Sequence, residues 1–446
     1  MNACKKTVSK NLLNGYLLLV VMINYLPSPV SGQTFISKPV FNFSGKYIVA
    51  VSDADMIASA YLDGHLGTPE GKDALSVIPL NAPVNALQAI SLEVSNSVTG
   101  PPSSVAVSPD GRFAVIIETR GQRLPDKSDP LFSDLPPGKT ITVVALSDPE
   151  HLKITQQFNG IQHPLGVAFN TDGSLVVVTF APKDTSQPSL AVYQFREGKL
   201  KELSLSQIPG IAKGDMLNGA VFSPVNNTLV LIDATQSVLH FYKLTRSDNR
   251  VLLTAWGNPV LVDKEPFKGV FTPDGRFFVV NAMYAGGVRG SVTTIGVAMN
   301  GNNTMPTHQV VSRVLAGVLP EGITMSPDAH WIVTTNLEQS TQPFGKPEQG
   351  YFSSLTLIRL NVKTGLLERV GDFPFDGILP ESIIFDNTSR YLAVAIFDHF
   401  DPAKKGGSID FWRLTGDFFD PSRTMLVKTD YSVPVQRGIH SMVIVR

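Results

Sequence analysis

One short phrase recurs seven times along this chain: a run of small apolar residues, a tight polar turn, then a second apolar run. One copy reads Val105-Ala-Val-Ser-Pro-Asp-Gly-Arg-Phe-Ala-Val-Ile, and another Gly269-Val-Phe-Thr-Pro-Asp-Gly-Arg-Phe-Phe-Val-Val. The turn follows from its residues: Pro fixes φ, Asp suits turn geometry and Gly accepts positive φ. The residue opening each turn is Asn42, Ser108, Asn170, Ser223, Thr272, Ser326 or Asp386. The C-terminal Gly438-Ile-His-Ser-Met-Val-Ile-Val matches the first apolar half of an eighth copy, with its marker near Met442. The seven intervals average about 57 residues, the length of a four-stranded blade with generous loops.

Each interval holds four strand-like runs. After Ser108 they are Ser104–Val107 and Arg112–Glu118 around the turn, then Thr140–Leu146 and Leu152–Phe158. Third-strand runs align at Ser189–Phe195, Val238–Leu244, Ser291–Val297, Ser354–Leu360 and Ser408–Leu414. Apolar spacing is two or continuous, so no amphipathic helix is expected after the leader. The expectation is an all-β fold: a seven-bladed β-propeller of four-stranded antiparallel blades, closed by the C-terminal strand. Whether that strand replaces or augments one near Phe41 is open.

Residues 1–32 read as a cleaved signal peptide. Lys5, Lys6 and Lys10 precede an apolar run from Leu12 to Leu26, and Val30-Ser31-Gly32 offers small residues for cleavage. That run is too short for a membrane span. Residues 33–446 then form a single propeller domain, secreted or periplasmic. The one cysteine, Cys4, lies in the leader, so the mature chain has neither disulfides nor a cysteine nucleophile. It keeps 34 basic against 38 acidic residues, a net charge of −4 with no basic run. Nucleic acid is therefore not an expected partner; the expected partner is a small molecule or a protein, bound by a monomer.

The turn phrase followed by Phe277-Phe-Val-Val-Asn281 or Trp331-Ile-Val-Thr-Thr-Asn336 resembles the YVTN-type repeat. That repeat is shared with seven-bladed lactonase-like propellers, which include bacterial 6-phosphogluconolactonase and carboxymuconate-cyclising enzymes. The resemblance covers about residues 35–446. It implies basic, His and carboxylate groups at a channel mouth, but no motif assigns those roles to particular residues of this chain.

Long loops mark the functional face: Asp53–Asp73, Thr119–Lys139, Leu337–Phe352 and Asp398–Gly407. On that face, Gly317-Val-Leu-Pro-Glu321-Gly-Ile matches Gly377-Ile-Leu-Pro-Glu381-Ser-Ile in the next interval. Glu321 and Glu381 are the catalytic candidates, because two close carboxyls can share a proton. The ligand-binding candidates are Glu321, Glu381, Asn218, Glu118, Asp233, Asn336 and Arg120. His163 and His440 approach the same face, and Asp398-His399-Phe-Asp401 reads as a solvated loop. No metal motif and no cofactor are expected, although the Glu pair also has the chemistry to hold Ca²⁺. The leading reading is a secreted propeller that binds a ligand or protein on its long-loop face. The alternative is a lactone hydrolase or related enzyme acting at the channel mouth.

Overall fold

The computed structural model describes residues 40–97, 103–124, 127–297, 306–342, 350–417 and 420–446. The expected signal peptide lies outside these residues. Val40–Arg446 forms one unit. Its architecture is all-β, built of antiparallel four-stranded sheets, as a β-propeller requires. Among the described residues the only α-helix is the single turn Ala60–Asp63, and no helix is long and apolar enough to cross a membrane.

The strands run where the repeat puts them. In the Ser108 interval they are Val105–Val107, Phe113–Ile117, Thr140–Ala145 and Lys153–Asn159, paired in that order. The turn between the first two is a hydrogen-bonded knot. Ser108 Oγ donates to Asp110 Oδ1 at 2.6 Å and accepts from the Phe113 amide at 3.0 Å, and Asp110 Oδ1 accepts from the Arg112 amide at 3.0 Å. Thr272, Asp274, Arg276 and Phe277 repeat the arrangement, as do Ser326, Asp328, His330 and Trp331. Where the turn drifts, Asn170 Oδ1 accepts from the Leu175 amide at 2.8 Å.

Second strands are buried on both faces because a sheet packs on each. Tyr47–Ser52 is buried at every position, and so is Trp331–Asn336. Trp331, Val333, Leu355 and Leu357 meet Ile383, Phe385, Leu392 and Val394 of the next sheet. Each such side chain removed from water stabilises the fold by roughly 1.5–3 kcal/mol.

One feature was not expected. The sheets Pro164–Leu205 and Leu217–Ala255 are fused at their outer edges by a short parallel ladder, Ser204 beside Arg250 and Leu205 beside Val251. This ladder satisfies backbone groups that outer strands otherwise leave to water. At the other extreme of the chain, Ile439–Val445 pairs antiparallel with Tyr47–Ser52, with Val443 opposite Val49. It takes the position that first strands hold in the other sheets. Phe41 and Phe43 form no strand: Phe43 packs edge-on against Phe411 at 5.2 Å, and Phe41 stacks on Tyr391 at 4.0 Å.

Gly438 makes the pairing possible. Its φ is +84°, and a Cβ there would lie 1.7 Å from the Asp53 carbonyl oxygen. Gly438→Ala should therefore cost about 2–4 kcal/mol in urea unfolding. A chain ending at Val435 should lose the cooperative transition of the whole unit; an unchanged melting curve would show that the pairing contributes nothing.

Candidate active site

A local rule builds the site. In four sheets the first strand opens with a non-glycine residue in the left-handed region, followed by Pro. These residues are His163 (φ 58°), Glu265 (57°), Leu319 (51°) and Leu379 (50°). Such φ values are costly for side chains of this kind and persist only when the surroundings enforce them. The residue after each Pro is Leu165, Phe267, Glu321 or Glu381, and all four line one cavity of about 420 Å³. The entrances are tied to one another by amides. Asn218 Nδ2 donates to the Pro266 carbonyl at 2.8 Å, and Asn281 Nδ2 donates to the carbonyls of Pro320 at 2.5 Å and Glu321 at 3.0 Å.

The long loops supply the rest of the wall. Arg120, Tyr61, Phe132 and His163 border the same cavity. The Arg120 guanidinium lies over the Phe132 ring, 5.3 Å from its centroid, and its Nε has no hydrogen-bond partner among the described residues. Burial lowers its pKa. Burial, then the charges of Arg120 and Lys183, lower His163, so its imidazole is neutral at neutral pH.

The two carboxyls are the most perturbed acids of this wall. Glu381 is only 2% exposed. Its Oε2, like that of Glu321, has no hydrogen-bond partner among the described residues. Burial pushes the Glu321 carboxyl up to about 8. Glu381 is pushed well above the usual range by burial first, then by the charges of Glu321 and Asp53. A buried pair of this kind holds protons at a pH where surface carboxyls have lost them.

The other candidates do not line the cavity and are hydrogen-bonded within the framework. For Glu118, burial alone would raise the pKa. Its oxygens accept from Ser95 Oγ, the amides of Lys139 and Thr140, and Thr140 Oγ1, which together hold it below the usual range. Asp233 accepts from the Gln236 amide at 2.9 Å and stands 3.5 Å from His240 Nε2. Asn336 donates to Ser354 Oγ and Thr356 Oγ1 and accepts from Thr334 Oγ1. Asn218 is spent on its neighbour's backbone. His440 is fully buried between Asn96 Oδ1 at 2.8 Å and Ser104 Oγ at 3.2 Å, and burial drives its pKa down to about 3. Asp398 and Asp401 accept from the nearby amides of His399 and Ala403.

Sequence reasoning missed Tyr61 and Phe132, which sit in loops with no repeat to align them. It also missed Asp53, Asp55 and Asp73, at the two ends of the loop that carries Tyr61. Their carboxylate oxygens lie within 4.8 Å of one another, the donor type that a hard cation takes. Among the described residues this is the group with such geometry, whereas Asp398-His399-Phe-Asp401 does not form one.

No protein-family model and no curated protein matches the sequence. Solved structures do match the fold. A candidate 6-phosphogluconolactonase from Bacteroides fragilis is 16% identical, covers 92% of this chain over 100% of its own, and superposes with a TM-score of 0.59. The periplasmic gluconolactonase PpgL of Pseudomonas aeruginosa is 17% identical over 90% of this chain and 99% of its own, with a TM-score of 0.56. A functionally unknown protein from Desulfotomaculum acetoxidans is 14% identical over 90% of this chain and 99% of its own, with a TM-score of 0.60. The chain thus has the fold of lactonase-like β-propellers. At these identities the likeness concerns the fold alone.

The raised carboxyls bear on stability. Folded, each keeps its proton; unfolded, each loses it above about pH 4.5. The folded state therefore binds more protons, and stability falls as pH rises above about 4.5, with a shallower slope above about 8, where Glu321 is ionised in both states and Glu381 still keeps its proton. Glu321→Gln should remove part of this slope, gaining about 2 kcal/mol over the wild type at pH 8 and little at pH 4.5. Urea midpoints at the two pH values measure it, and equal gains at both would contradict the assignment.

Proposed function

We propose that the chain is a seven-bladed propeller of the YVTN type, closed by Ile439–Val445, and that the cavity hydrolyses a small lactone. The blade count is supported by the first strands, which touch in an unbroken cycle. Val105–Val107 meets Pro164–Phe169, and contact passes through Leu217–Phe222, Lys264–Phe271, Pro320–Met325 and Ile383–Phe385 to Ile439–Val445, which returns to Val105–Val107. The observation that carries the chemistry is the convergence of Glu321, Glu381, Arg120 and His163 on one cavity. The named lactonases among the fold neighbours favour hydrolysis over ligand binding alone.

Lactone hydrolysis needs a base for water, a cation beside the carbonyl oxygen and an acid for the ring oxygen. Glu321 becomes a carboxylate first as pH rises, while Glu381, under the stronger push, keeps its proton. Glu321 takes a proton from water as the water oxygen bonds to the carbonyl carbon. The resulting oxyanion faces the Arg120 guanidinium. The ring C–O bond then breaks, Glu381 gives its proton to the leaving oxygen, and the hydroxy acid departs. His163, neutral, offers one donor and one acceptor to substrate hydroxyls.

No metal enters this sequence, and Ca²⁺ between Glu321 and Glu381 would displace the proton it depends on. The wild-type chain should hydrolyse aldonolactones with kcat/KM rising through about pH 8, and chelation should leave the rate unchanged. Glu321→Gln, Glu381→Gln and Arg120→Met should each lower kcat/KM by about 100-fold or more. Unchanged turnover in both Glu variants would remove the pair as catalysts. A wild type that binds lactones without opening them would restore the ligand-binding reading.

A further inference from the structure

A second cavity, of about 450 Å³, opens among the polar turns, where Pro109, Thr171 and Pro224 form part of its rim. It is walled by first strands. Val107, Phe169, Val221 and Val443 line it and stay only half-buried, so apolar surface is left uncovered. Water-filled passages are lined by polar groups, whereas small-molecule sites are mostly apolar with a few placed polar atoms. Lys268 is the one ionisable side chain among the described residues lining this cavity. It follows Phe267, which borders both this cavity and the carboxyl-lined one. Burial lowers the Lys268 pKa to about 8, which still leaves an ammonium at neutral pH.

The two cavities therefore differ in kind. One offers raised carboxyls, an arginine and an imidazole to a polar substrate. The other offers apolar walls and a single compact positive charge. An ammonium acts as a point charge, with no guanidinium fork to grip a phosphate. A ligand matching this surface has an apolar body and one carboxylate head.

We propose that the turn-side cavity is a second ligand site that takes an amphipathic monocarboxylate, its head on the Lys268 ammonium and its tail along Val107, Phe169, Val221 and Val443. The site is independent of the lactonase reading, since none of these residues acts in the reaction.

Decanoate serves as the probe, with 1-decanol as its uncharged counterpart and gluconate as a carboxylate without an apolar body. On the full chain, calorimetry should show decanoate binding at least about tenfold tighter than either control. Lys268→Gln should weaken decanoate by about tenfold or more and leave 1-decanol unchanged. Glu321→Gln should bind decanoate as the wild type does, so failure of the lactonase reading leaves this result intact. A second measurement needs no variant: reductive methylation of the wild type, read by peptide mass spectrometry, should modify Lys268 less when decanoate is present. No decanoate binding, equal affinity for decanoate and 1-decanol, or Lys268 labelling unaffected by decanoate would each overturn the proposal.

Discussion

This fold takes its register from its tight turns, and in three of them from a hydroxyl that both gives and receives. At Ser108, Thr272 and Ser326 it donates to the turn Asp and accepts from an amide five residues on. One bond without the other would leave the turn free to open or the Asp free to wander. Together they set the register between the first and second strands, the pair that builds the wall around the cavities. An apolar run cannot choose its own register, because sliding by one residue exchanges the faces of every side chain. A few short polar contacts, each worth only about 1 kcal/mol net, thus decide how a much larger apolar area is buried.

At the opposite end of the same first strands the chain takes on strain. Leu319 and Leu379 adopt the left-handed region although their side chains disfavour it. Cross-strand amides such as Asn281 hold the carbonyls that follow. The strained residue and the Pro after it aim the next side chain inward. Where that side chain is Leu165 or Phe267, the wall is apolar; where it is Glu321 or Glu381, burial raises the carboxyl. One backbone device therefore supplies both the apolar and the titrating parts of the site.

The repeat made the fold legible, because each copy reports the same local chemistry and errors in one are corrected by the others. Glu321 and Glu381 were legible for the same reason: a matched departure from the repeat stands out. Tyr61, Phe132 and the Asp53, Asp55 and Asp73 group carried no such signal. No repeat aligns the residues of these loops, and only the three-dimensional fold brings Tyr61 and Phe132 to the cavity wall and the three Asp carboxylates together. Glu118, Asn218, Asp233 and Asn336 show the converse. They end strands on the correct face, but buried polar groups must first be satisfied, and nearby amides and hydroxyls claim them. The fused outer edges were invisible too, since a two-residue parallel ladder leaves no periodicity.

The pairing of Ile439–Val445 with Tyr47–Ser52 also sets an order of events in synthesis. Tyr47–Ser52 leaves the ribosome long before its partner Ile439–Val445 is made. Until then one edge of a strand that is buried at every position stays open to any passing backbone. The arrival of Ile439–Val445 separates a closed sheet from one with an open edge.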